Sequence, residues 1–146
     1  MAKTFRLLTA AVILAASAMP AHSWDFLKRQ HVGDPSDCAR ESVLSSISAR
    51  FDHQVRHVPH LPQVSIEGFD RIHQHRYVEA GKRNATDISR RYCMATATLS
   101  DGRRRSVWYM IEYGMGFAGA FGDGVQFCVA GFDRWKVYNA WCRVVR

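Results

Sequence analysis

The stretch that decides the fold is residues 90–113, RRYCMATATLSDGRRRSVWYMIEY. Two runs rich in β-branched and aromatic side chains flank Asp101-Gly102, and such a dipeptide between such runs is a strong local signal for a β-hairpin. With Asp101 and Gly102 as a two-residue loop, Cys93 falls opposite Met110 and Ala95 opposite Trp108. Tyr92, Met94 and Thr96 then share a face with Val107, Tyr109 and Ile111. Both faces are substantially apolar, so the hairpin belongs to a larger sheet that is covered on each side.

Towards the amino end, Val64, Ile66 and Gly68 alternate with Ser65 and Glu67, and residues 72–78 are extended in character, which reads as one long or broken strand. A polar turn at 79–84 separates it from the hairpin. Towards the carboxyl end, a strand at 125–132 and a last one at 141–145, joined around residues 134–138, complete an antiparallel sheet. Ahead of all strands, Ala39, Val43, Leu44, Ile47 and Phe51 recur at helical spacing beside polar Arg40, Glu41, Ser45 and Ser48. Ser36 or Asp37 is placed to cap this helix, which should run from about 37 to 53 and end before Pro59 and Pro62. One helix on four or five antiparallel strands is an α+β domain spanning 36–146, with residues 24–35 an irregular lead-in. Element order alone is similar to cystatin-like and NTF2-like arrangements. No motif identifies a family, and no internal repeat is visible.

Export is expected from the first 23 residues. Lys3 and Arg6 form a basic start, residues 7–18 are uncharged and apolar, Pro20 breaks the helix, and Ala21 and Ser23 occupy the positions a signal peptidase reads. The apolar run is too short for a membrane anchor, so the expected mature chain starts at Trp24 with no transmembrane segment. Cys38, Cys93, Cys128 and Cys142 then enter an oxidising, secreted or periplasmic space as disulfides. Three pairings are possible, and their spacing has no C-x-x-C element of a zinc ribbon or redox motif. We favour Cys38 with Cys93, fastening the helix to the sheet, and Cys128 with Cys142, bracketing a hairpin.

The full chain carries 20 Lys and Arg against 13 Asp and Glu; removing Lys3 and Arg6 leaves 18 against 13, a net charge of +5, with arginine supplying 15 of the 18. Arginine's planar fork suits carboxylate and phosphate, so this bias points to an acidic partner. Arg90-Arg91 leads into the hairpin and Arg103-Arg104-Arg105 leaves its turn, so these five are the candidate anion-binding residues. Solvated edge charges that oppose aggregation are the ordinary alternative. Phe117 and Phe121, in a glycine-rich loop, and Trp135, in a turn, are candidate apolar contacts, whereas most of the other carboxyl-half aromatics, a group that contains Trp141, should be core.

Residues 114–119 spell G-x-G-x-x-G, but Gly122-Asp123-Gly124 and a strand follow where a dinucleotide site needs a helix, so no cofactor is expected. His53 and His57, and His73 and His75, have spacings usable by a metal, and Asp52, Glu67 and Asp70 are near in sequence, but nothing fixes their approach and no metal site is assigned. Asn84-Ala85-Thr86 is a glycosylation sequon. The leading expectation is an exported, disulfide-stapled binding module that meets an anionic envelope polymer or an acidic protein surface through arginines. A small secreted phosphodiesterase-like or nuclease-like hydrolase using histidines, and a structural envelope protein, are the alternatives. Nucleic acid is not an expected partner, since no recognised motif is present.

Overall fold

The computed structural model describes residues 35–81, 88–116 and 122–146. The expected leader and lead-in, the sequon, Phe117 and Phe121 lie outside them. The described chain runs from a short 3-10 turn, Pro35–Ala39, into helix α1 (Glu41–His57), then β1 (Ile66–Val78), β2 (Arg90–Leu99), β3 (Arg104–Glu112) and β4 (Gly124–Val129), followed by turns and a 3-10 turn, Arg143–Val145. The four strands form one antiparallel sheet in the order β1-β2-β3-β4. This is the expected α+β arrangement with four strands.

Helix α1 starts and ends four residues later than its spacing predicts. Arg40, not Ser36 or Asp37, occupies its cap position, with no side-chain cap. Asp37 is drawn elsewhere: its carboxylate accepts a hydrogen bond from the Tyr113 hydroxyl at 2.6 Å and faces Arg91 at 3.7 Å. At the far end only Val58, immediately before Pro59, is forced into extended geometry, so the helix persists through His57. Val43, Ile47, Phe51 and Val55, four apart, form the buried stripe of α1. They pack on Cys93, Ala95, Ala97 and Leu99 of β2 and Val107, Tyr109 and Ile111 of β3.

That face assignment corrects the register expected for the hairpin. Cys93 pairs with Tyr109 and Ala95 with Val107, one residue from the two-residue-loop alignment. The Leu99 amide bonds the Arg103 carbonyl at 2.9 Å, which makes the loop Ser100-Asp101-Gly102, and Gly102 adopts φ +76°. A three-residue loop closed by a left-handed glycine is a favoured alternative to the two-residue turn. Because side chains alternate, the single-residue shift moves Val107, Tyr109 and Ile111 onto the face that carries Cys93 and Ala95.

β1 is long and broken as expected, with register irregularities between Ile66 and Gly68, Asp70 and His73, and Gln74 and Arg76. The expected strand at 141–145 does not form. After β4 the chain turns at the sheet edge, with Phe132 still on the α1 side, and then crosses to the second sheet face, where Cys142 and Val145 join Tyr92, Met110 and Cys128 in a smaller buried cluster.

Both favoured disulfides are present. Cys38–Cys93 ties the turn before α1 to β2, reinforced by the buried Tyr109 hydroxyl donating to the Cys38 carbonyl at 2.5 Å. Cys128–Cys142 joins β4 to the carboxyl-terminal segment rather than bracketing a hairpin. Two such cross-links fit an oxidising, extracytoplasmic compartment. No described helix is long and apolar enough to cross a membrane.

Candidate functional site

The structure separates the arginines that the sequence groups. Arg90 is bound to Glu112 at 2.9 Å. Arg91 is fully buried: it donates to the Tyr113 hydroxyl at 2.6 Å and to Gln74, faces Asp37, and has the rings of Tyr77 and Tyr113 beside it. It serves as an internal tie and presents nothing to a partner, contrary to its expected role in binding. Arg103 folds back towards Asp101 of its own turn at 3.7 Å. Arg104 is held by the carboxylate of Asp70, at 2.6 Å to one of its oxygens. Strand alternation sends Arg104 and Arg105 to opposite sheet faces, so the triplet does not converge as a cluster.

Trp135 is exposed as expected, 64% accessible, and it stands at the rim of a cavity of about 350 Å³. This cavity forms where the carboxyl half of α1, β4 and the segment after β4 meet. Its apolar lining includes Val58, Phe127, Phe132 and Val137, with the Phe132 ring set edge-on against Phe51 at 4.9 Å. Gln54 donates to the Phe132 carbonyl at 2.9 Å, fixing the loop to the helix. Tyr138 closes one side. Its backbone amide donates to Asp133 at 3.1 Å and its hydroxyl to Gln126 at 3.3 Å. Burial raises the Tyr138 hydroxyl's pKa above the usual phenol range, so it remains a donor at neutral pH.

Two guanidiniums border this cavity. Arg50 donates to the Val125 carbonyl and lies 5.3 Å from the centre of the Phe127 ring. Arg134 is exposed and has no ion pair or hydrogen bond among the described residues. An apolar cleft of this size with a few polar groups at its edge is the usual form of a ligand site. Here the charged groups at the edge are Arg50, Arg134 and Asp133, two cations against one carboxylate, so the arrangement suits a ligand with an apolar part and a single negative charge. Sequence reasoning identified Trp135 but missed Arg50, Arg134, Phe127 and Phe132. Arg50 reads as an ordinary solvent-facing helix residue, and only the packing of α1 against β4 brings it near Phe127.

The histidines do not gather. His53 lines the cavity and stacks on His57 with ring centres 3.9 Å apart, while the His57 Nδ1 lies 2.7 Å from the His53 carbonyl. His75 meets the edge of Trp108, part of the second-face cluster. His73 has its Nδ1 2.9 Å from the Arg71 carbonyl. Among the described residues, no three His, Cys, Asp or Glu side chains form a group able to hold a metal. Comparison of the chain with family models, curated proteins and solved structures gives no match.

Proposed function

We propose that this protein is an exported binding module, stapled by its two disulfides, that captures an acidic protein segment by anchoring an apolar side chain in the cavity between α1 and the loop after β4. The observation that carries the reading is the pairing of a phenylalanine-lined cleft with Arg134, exposed and unpartnered among the described residues, and with exposed Trp135. Anchors of protein interfaces are typically apolar or aromatic groups in pockets ringed by polar residues. A carbohydrate or phosphate polymer offers little for Phe127, Phe132 and Val58 to bind, which favours a protein among the anionic partners. Arg103 and Arg104 are each paired with an aspartate of the chain, so the run 103–105 is no part of the proposed contact. The histidine hydrolase and the structural envelope component gain no specific observation.

The test uses a peptide with one phenylalanine between glutamates, titrated at low and at physiological salt by calorimetry. Saturable binding weakened by salt is expected. Arg134→Gln and Trp135→Ala, both at exposed positions, should each reduce affinity by about tenfold. Absence of binding at low salt, or affinity unaltered by both changes, overturns the proposal.

A further inference from the structure

Five large apolar side chains are exposed among the described residues, and four of them, Trp135, Val137, Trp141 and Val144, follow β4. Exposed Arg134, Lys136, Arg143 and Arg146 are interleaved with them, and no acidic residue occurs from 134 to 146. We infer that residues 136–146 form a docking strap for the surface of an anionic lipid bilayer, with Trp141 and Val144 entering the headgroup layer and Lys136 and Arg143 meeting lipid phosphates.

The local geometry separates an anchored side from a presented one. Asn139, Ala140, Trp141 and Cys142 all have positive φ, between 48° and 59°, so the chain makes a tight left-handed turn. Cys142 and Val145 point inward and are buried, whereas Trp141 is 75% exposed and Val144 51%. The Cys128–Cys142 bond holds the strap to β4, and the Arg76 guanidinium donates to the Arg146 carbonyl at 2.9 Å. A strap fixed in this way loses less conformational freedom on docking than a free tail.

The occupant follows from the chemistry of the exposed groups. Indole rings concentrate at the water interface of bilayers, and each cation near an anionic leaflet adds about 1 kcal/mol of attraction, a factor of about five in partitioning. Neither Trp141 nor Val144 lines the cavity beside β4 or the groove between α1 and β1. A soft lipid surface accommodates an indole standing out from the protein without a matching cleft. This inference is independent of the proposed peptide site, since its variants leave Arg134 and Trp135 in place.

The test mixes the disulfide-bonded protein with vesicles of phosphatidylcholine alone or in equal mixture with phosphatidylglycerol, followed by sedimentation. Binding is expected to the mixed vesicles only and to fall as salt is added. Combined Trp141→Ser and Val144→Ser should reduce partitioning at least about tenfold. Lys136→Gln with Arg143→Gln should reduce it about 25-fold. These positions are exposed, and circular dichroism checks that each variant remains folded. No sedimentation with mixed vesicles at low ionic strength overturns the inference, as does binding that survives the Trp141 and Val144 changes. Self-association abolished by those changes, without vesicle binding, would instead assign the strap to a second copy of the chain and equally overturn it.

Discussion

Replacing Cys128 and Cys142 together by alanine should release the carboxyl-terminal strap while leaving the sheet intact. Ala140, Trp141 and Cys142 hold left-handed φ values, and each L-residue there costs roughly 1–2 kcal/mol, so the turn stores roughly 3–6 kcal/mol. Against this, a disulfide spanning a sequence separation of 14 contributes roughly 3 kcal/mol by chain entropy. Burial of Val145 adds about 2 kcal/mol, and the Arg146 guanidinium over Trp108, 4.6 Å from its centre, about 1 kcal/mol. With the bond the balance is close to neutral or favourable; without it the turn is neutral to unfavourable by about 3 kcal/mol. Amide hydrogen exchange read on peptides covering 138–146 should accelerate by about a hundredfold, corresponding to about 3 kcal/mol. Peptides from β2 and β3 should accelerate far less: Tyr92 and Met110 lose their cover from Cys142 and Val145, but the ladder hydrogen bonds and the buried contacts with α1 do not involve Cys142. The other bond provides the contrast: Cys38–Cys93 spans 55 residues within the main core, so its removal should lower global stability by about 4 kcal/mol in urea unfolding. Unchanged exchange at 138–146, or a global loss as large as that from removing Cys38–Cys93, would refute the reasoning.

Two further outcomes follow from buried polar groups. Arg91→Met removes the guanidinium facing the nearly buried Asp37 and should cost roughly 3 kcal/mol in urea unfolding, with Asp37→Asn in the same chain recovering part of it; a loss under about 1 kcal/mol would contradict the buried tie. Tyr109, Tyr113 and Tyr138 are shifted above the ordinary phenol range, chiefly by burial, so the folded chain retains protons that the unfolded chain loses above about pH 10. Their stability contribution is therefore present below that pH and declines above it by up to about 1.4 kcal/mol per pH unit for each tyrosine. Brief alkaline titration should show phenolate absorbance from these three rising with unfolding, and Tyr109→Phe should make the decline shallower; their ionisation in an intact fold near pH 10 would exclude this coupling.

Exposure was legible in the sequence where one local feature suffices. Trp135 follows a turn-forming stretch and is exposed, as expected. The same logic failed for Arg91, which looks like half of a solvent-facing basic pair. Its position between two tyrosines, Gln74 and Asp37 is invisible without the strand neighbours. It also failed for Trp141, expected at the start of a last strand and found exposed on a turn, because its direction depends on the left-handed backbone that places Cys142 inward. The cavity could not be inferred, since Arg50, Phe127 and Phe132 come together only when α1 lies across β4.

The amino-acid sequence by itself determined the helix, the alternating strands, the four-cysteine framework and the excess of arginine, because each depends on local periodicity, spacing or composition. The tertiary structure decided the hairpin register, where a left-handed Gly102 lengthens the turn by one residue and so exchanges the faces of β3. It decided which charges are internally satisfied and which remain open, and it converted an expected last strand into a strap over the second face. Those choices depend on competing long-range contacts, and a linear pattern contains no measure of which contact is stronger.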